Sequence, residues 1–153
     1  MSKLNSKIFQ NRKAKYNFQI FEKYEAGIVL NGNEVRSIRD GKVVLDNAYG
    51  IIKTNEIWVL NLFIDLKNYK KDFNESNNTR PKKLLLNRKE IEKIALKIKN
   101  NGMTMVPLNL HFNKKGKIKI DIGISKGRKK SDLRDYKKDQ DWKRQKQRIA
   151  KDL

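Results

Sequence analysis

The chain has 153 residues, with 37 Lys+Arg against 17 Asp+Glu, a formal net charge of +20 and 37% hydrophobic residues. That length holds one modest core and a tail. With no cysteine and one histidine, His111, the composition argues against disulfides, thiolate metal sites, cysteine nucleophiles and histidine-ligated metal centres.

Residues 1–15 are polar and basic and read as a loose N-terminal arm. From Tyr16 to Leu30 the pattern is that of a strand. Phe18 and Ile20 lie on one side, Gln19 and Phe21 lie on the other, and Gly27 is read as a bend or bulge. Asn31-Gly32-Asn33 breaks it. A short helix follows over Glu34 to Arg39, with Val35 and Ile38 inward and Arg36 and Arg39 on a neighbouring outward stripe. Val43 to Leu45, Tyr49 to Thr54 and Glu56 to Ile64 read as further strands, the last two joined by a short hairpin turn. Residues 65–83 are polar and read as a long exposed loop.

Asn87 and Glu90 fit a capping box that opens a helix. Ile91, Ile94, Ala95 and Ile98 give it one buried face, and Gly102 stops it. Met103 to Phe112 and Lys117 to Ile124 form a hairpin, with Pro107 marking an edge or a bulge. After Gly127 the composition changes. Residues 128–153 hold eleven Lys+Arg and five Asp, so this tail is expected to be disordered when free and helical when docked. Trp142, Ile149 and Leu153 would line one face of that helix.

The organisation is then an arm over 1–15, a domain over 16–127 and a basic tail over 128–153. Six or seven short strands with two helices make a mainly β (α+β) fold. A small closed barrel of the oligonucleotide-binding (OB) type, with flanking helices, suits that order.

A charge of +20 repels itself unless a polyanion neutralises it, which makes nucleic acid the leading partner. No segment approaches the roughly 18 apolar residues of a membrane span, and the N-terminus lacks a signal-peptide pattern. A cytoplasmic protein is expected. Neither GxxxxGK[ST] nor GxGxxG occurs. Gly123-Ile124-Ser125-Lys126-Gly127 fits GxSxG by letters, but a Lys/Arg run follows it and the single histidine sits in a strand. The basic-aromatic run from Asn11 to Phe18 suits looped or single-stranded RNA, where bases stack on rings and phosphates meet cations. Phe18 is in phase with Ile20 and is equally a core residue.

Several blocks are specific. Asn11-Arg12-Lys13-Ala14-Lys15-Tyr16 is followed by Glu25-Ala26-Gly27-Ile28-Val29-Leu30, then by Gly32-Asn33-Glu34-Val35-Arg36-Ser37-Ile38-Arg39. Arg80-Pro81-Lys82-Lys83-Leu84-Leu85-Leu86-Asn87, Gly102-Met103-Thr104-Met105-Val106-Pro107-Leu108 and Gly127-Arg128-Lys129-Lys130 come later. In order and spacing these resemble the bacterial SsrA-binding protein (small protein B) family over residues 11 to 149.

The resemblance implies an oligonucleotide-binding barrel without enzymatic activity or cofactor. It implies an adaptor, a monomer, that binds the tRNA-like domain of tmRNA. With elongation factor Tu it would deliver tmRNA to stalled ribosomes for trans-translation. The tmRNA-facing positions it implies are Tyr16, Phe18, Glu25, Arg39, Tyr49, Leu85, Asn87 and Lys119. The ribosome-binding positions are Gly127, Arg128, Lys129, Lys130, Asp132, Arg134, Trp142 and Ile149, in a tail that enters the decoding region and message channel. This chain has Ser131 where many relatives carry His or Tyr, and Leu133 where they carry Lys. His111 stands where Tyr is usual. A structural ribosomal protein is the alternative, and it would share the charge, the tail and the small barrel.

Overall fold

The computed structural model describes residues 7–68, 75–128 and 130–152. Among these, nine strands and four α-helices make a mixed α+β fold composed mostly of strands. They are β1 (Ile8–Gln10), α1 (Ala14–Asn17), β2 (Phe18–Ile28), α2 (Gly32–Arg39), β3 (Val43–Val44), β4 (Tyr49–Lys53), β5 (Glu56–Leu60), β6 (Phe63–Ile64), β7 (Lys82–Leu85), α3 (Arg88–Asn101), β8 (Thr104–Phe112), β9 (Ile118–Gly127) and α4 (Lys130–Asp152). The main sheet runs β1-β8-β4-β5-β7-β2-β9, and a further β8–β9 pairing joins its ends into a ring of strands with β1 outside. β3 and β6 pair separately.

The alternating residues that read as buried in sequence line the inside of this ring. Ile120, Ile122 and Ile124 of β9, Ile57 and Val59 of β5, and Leu84 of β7 meet Ile38 of α2 and Ile94 of α3 in one cluster. α3 has the box read from sequence: Asn87 Oδ1 accepts from Glu90 N at 2.9 Å. It ends at Gly102, whose φ of 63° is the left-handed conformation that favours glycine. Thr54 and Asn55, with φ of 53° and 60°, form the two-residue turn between β4 and β5.

A second cluster lies on the other face of the sheet, and two bulges create it. The β2–β9 register slips at Phe21, and the β8–β9 register slips between Pro107 and Asn109. Each slip changes which side chains face outward. Val106 and Leu108 therefore leave the ring interior and pack with Ala14, Phe18 and Ile20. Gly123, between Ile122 and Ile124, lies beneath them. A Cβ on Gly123 would stand 3.1 Å from both Ile20 Cγ2 and Leu108 Cδ2, tighter than ordinary contact, so these two side chains would have to give by a few tenths of an ångström.

Three expectations change, and one open alternative is decided. Pro107 marks a bulge and not an edge, because β8 has neighbours on both sides. Gly27 is not the bulge of β2; it pairs regularly with Lys119 and with Leu85. The arm is not loose from Ile8 onward. Ile8 pairs with His111, Asn11 N donates to Leu108 O at 2.8 Å, and Ala14 is buried. Residues 65–83 are not an exposed loop throughout. Leu66, Asn78 and Lys82 are buried, and Lys82 opens β7. The reason is polar satisfaction: Asn78 Oδ1 accepts from Leu66 N at 3.0 Å, and Lys82 Nζ donates to Arg80 O at 2.7 Å and Leu62 O at 3.2 Å. Within the tail, Lys130–Asp152 form the helix α4 that its composition allows on docking.

Candidate nucleic-acid interface

The outer cluster fixes the arm. Asn11 Nδ2 donates to Pro107 O at 2.8 Å, Ala14 is inserted against Val106 and Leu108, and α1 turns back into β2. Tyr16 is left 42% exposed on this short helix. Phe18, two residues further on, is half-buried in the outer cluster, so the core reading of that ring is realised.

α2 is fixed by a second capping box, which the sequence reading did not identify. Asn31 Oδ1 accepts from Glu34 N, and Glu34 Oε1 accepts from Asn31 N, both at 2.9 Å. Glu34 is fully buried and its Oε1 also accepts from Arg80 Nη2 at 2.6 Å, which ties α2 to the segment before β7. Ser37 Oγ donates to Asp65 O at 2.6 Å. Arg39, the last residue of α2, is thereby held at the rim of a cleft with Lys117 and Lys119, over Ile28, Leu30, Val35 and Ile118. Three cations over an apolar floor can take phosphates and the face of a sugar or base.

The neighbouring strands continue this patch. Glu25 on β2 stands opposite Asp121 on β9, which stands opposite Asn109 on β8. Asn109 Nδ2 donates to Asp121 Oδ2 at 3.1 Å, and Asn109 Oδ1 is 2.8 Å from His111 Nδ1. His111 Nε2 lies 3.3 Å from Glu25 Oε2, an ion pair when the imidazole is protonated. Ligand atoms of Glu25, His111 and Asp121 lie within 4.8 Å of one another. They are already joined as a hydrogen-bonded chain. Glu22 on the same strand is held below the usual carboxylate range, first by its bond from Lys97 and then by the Tyr24 hydroxyl. Burial and Glu22 push the Tyr24 hydroxyl up to about 12.

The structure thus brings together Arg39, Lys119, Glu25 and Leu85, the last 54% exposed and paired with Gly27. Tyr49, 41% exposed, starts β4, which the ring order places across from β2. Asn87 is exposed, but its Oδ1 is engaged as the cap of α3. In the tail, Gly127 ends β9 and Arg128 is engaged within the molecule. Its N donates to Asn17 O at 2.9 Å and its Nη2 to Lys15 O at 3.3 Å. Arg134 is exposed, and Trp142 and Ile149 are 56% and 60% exposed. Lys146 Nζ lies 5.2 Å from the Trp142 ring centre. Lys129 and the side chains of Lys130, Ser131, Asp132 and Leu133 lie outside the described residues. Tyr136 of α4 meets the Tyr16 ring edge-on, with centroids 6.2 Å apart, a contact between residues remote in the chain that no local pattern signals.

Known proteins match this chain along almost its whole length. The family model described as SmpB protein matches residues 8–152. The SsrA-binding protein of Ehrlichia canis (strain Jake) is 46% identical over 144 residues, covering 94% of this chain and 97% of that protein. The SsrA-binding protein of Allorhizobium ampelinum (strain ATCC BAA-846 / DSM 112012 / S4) is 40% identical over 148 residues, covering 97% and 93%. A chain of the solved structure "tmRNA-SmpB: a journey to the center of the bacterial ribosome" aligns with a TM-score of 0.65 and 35% identity, covering 80% of this chain and 85% of that one. The arm from Ile8, the strand ring and the tail to Asp152 fall within the matched residues, and the chain belongs to the SmpB family of SsrA-binding proteins.

Proposed function

We propose that this protein is a non-enzymatic adaptor that binds tmRNA and brings it to stalled ribosomes for trans-translation. The observation that carries this is the family match over residues 8–152, joined to a +20 chain whose arm, cleft and tail are basic. The closed ring of strands supports an OB-type barrel. In this reading residues 16–127 are the RNA-binding body. Tyr16, Glu25, Arg39, Tyr49, Leu85 and Lys119 face tmRNA, while Phe18 and Asn87 serve the fold as well. Residues 128–153 read the ribosome through Arg134, Trp142 and Ile149 together with Lys129, Lys130 and Asp132. Elongation factor Tu joins the delivery complex, the protein acts as a cytoplasmic monomer, and it needs no cofactor.

The test is the RNA that co-purifies with the full chain from its own cell, followed by peptide tagging in a reconstituted stalled-ribosome assay. One long RNA with a tRNA-like end and restored tagging are the expected results. Ribosomal RNA in bulk, with no tagging, would make this a structural ribosomal protein instead. Binding should weaken with salt at a log–log slope of about −4 to −7, for roughly six to eight phosphate contacts.

A further inference from the structure

Glu25, Asp121, Asn109 and His111 share the outer face of three adjacent strands. Register sets Glu25 of β2 beside Asp121 of β9, Asp121 beside Asn109 of β8, and Lys119 of β9 beside His111 of β8. Their exposures differ: the His111 side chain is 19% exposed and that of Glu25 57%. One end of the row is therefore fixed in the sheet, and the other reaches into solvent.

The direction of each bond follows from the groups themselves. Asn109 Nδ2 donates to Asp121 Oδ2 at 3.1 Å, so Asn109 Oδ1, an acceptor, faces His111 Nδ1 at 2.8 Å. Nδ1 must then donate. The other ring nitrogen, Nε2, lies 3.3 Å from Glu25 Oε2, which also only accepts. Both bonds exist together only when the ring carries both protons. A neutral ring has one, so it loses either its tie to Asn109 or its tie to Glu25. The tie to Asn109 is the shorter and less exposed, which makes Glu25 the group released. Among the described residues, the other charges near the ring are Asp121 and Lys119 of β9, with Lys117 and Arg39 of α2 beyond Lys119. β1 sets the uncharged Ile8 beside His111 and Gln10 beside Asn109.

We propose that His111 is a positioning residue for RNA recognition: its protonated ring holds the Glu25 carboxylate ready to accept from an N–H donor on the edge of an unstacked base of tmRNA. This rests on the RNA-binding reading above. A carboxylate repels phosphate, so beside Arg39, Lys117 and Lys119 its use is to read a donor, which the cations cannot do. An exposed glutamate loses rotamer freedom when RNA fixes it. One that is already held loses less, and binding is tighter by that difference. His111 acts through Glu25 and makes no contact with RNA itself. As pH rises and the ring sheds a proton, Glu25 is released and affinity falls.

The test is tmRNA affinity of the full-length protein by gel shift at constant salt, from about pH 5.5 to about pH 8, the range in which imidazole changes charge. Parent binding should weaken about three- to tenfold across it, the scale of one charge-assisted hydrogen bond. His111→Ala should bind at the acid end as weakly as the parent does at the alkaline end. His111→Gln keeps an amide donor that does not titrate, and should restore binding with no such pH dependence. In a Glu25→Ala background, His111→Ala should cost nothing further and the pH dependence should vanish. A flat parent profile or additive losses overturn the proposal. So does a pH dependence that survives Glu25→Ala, which would make the ring a plain cation for phosphate.

The chain has one histidine, so its ring protons give a single set of NMR signals in the RNA-free protein. Nuclear Overhauser contacts from the ring to the Glu25 methylenes should be present at the acid end and lost at the alkaline end. Contacts that are absent throughout, or equal at both ends, sink the positioning role. Absence of tmRNA binding at every pH overturns the proposed function instead, and the ring contacts then still decide whether His111 holds Glu25.

Discussion

Glu34 Oε2 and Lys82 Nζ stand 3.6 Å apart, both side chains fully buried, and this carboxylate oxygen has no hydrogen bond of its own. The pair is one corner of a network. Glu34 Oε1 holds Arg80 and caps α2, while Lys82 Nζ reaches the carbonyls of Leu62 and Arg80. Removing one buried charge costs more when its partner is stranded. Glu34→Gln strands Lys82 and should destabilise by about 3–5 kcal/mol. Lys82→Met leaves Glu34 with Arg80 and should cost less, about 2 kcal/mol or under. Urea midpoints at unchanged slope check the order; equal costs would mean that Arg80 does not compensate.

Lys82 also gives stability a pH dependence. Burial pushes its ammonium down to about 8, with Glu34 opposing, from the ordinary 10.5. Between those values the unfolded chain holds a proton that the folded chain has shed. Stability therefore rises with pH across that window. Tyr24, raised to about 12, acts in the opposite direction, but only above its ordinary 10. From pH 8 to 10 the wild type should gain stability relative to Lys82→Met. Parallel curves for the two proteins would refute this.

Asn87, Arg39 and Glu25 should separate folding from binding. Asn87→Ala removes the α3 cap and should cost about 1 kcal/mol. Arg39→Ala and Glu25→Ala remove exposed charges and should leave thermal unfolding nearly unchanged, while each weakens tmRNA binding roughly tenfold. Gel shift and thermal melts on the same preparations give the comparison. A melting-point loss at Arg39 as large as at Asn87 would assign it to the fold.

Gly123→Val should unseat the arm. Its Cβ alone would press on Ile20 and Leu108, and two more methyls force the outer cluster apart at about 1–3 kcal/mol. Hydrogen exchange should rise in residues 11–17 while residues 118–122 stay protected, and tmRNA affinity should fall with the displaced Tyr16. Unchanged exchange in the arm would show that the outer cluster does not hold it.

Deleting residues 128–153 should leave the ring folded, because among the described residues the core cluster contains none beyond Ile124. The truncated protein should still bind tmRNA and fail in tagging. Trp142→Ala should leave melting unchanged, since the ring is already exposed, and should still impair tagging more than Lys137→Ala. Loss of tmRNA binding on truncation would contradict the division of labour.

What the sequence made legible is what local rules govern. The Asn87 box, the Ile91/Ile94/Ala95/Ile98 face, the Gly102 stop and the β8–β9 alternation depend on neighbours within a few residues. β1 was missed because its three residues gain strand character only from pairing with β8, far downstream. Lys82 and Glu34 carry charges that pattern reading assigns to solvent, and only their mutual placement makes burial tolerable. The same holds at the interface. Arg39 and Lys119 are separate in sequence and share a cleft only because α2 caps the β9 side of the ring. Asn87 carried two readings, and the fold shows its structural role directly.

Ring closure has a consequence for how the protein is made. β9 bonds to both β2 and β8, and no other described strand joins those two. While the ribosome is still short of residue 118, the nascent chain can form only an open sheet with β2 and β8 as bare edges. Bare edges of that length invite pairing with other chains. A message broken before the β9 codons would thus yield only chains whose ring cannot close. In the function proposed above, a factor for interrupted synthesis has a fold that closes only with its last strand.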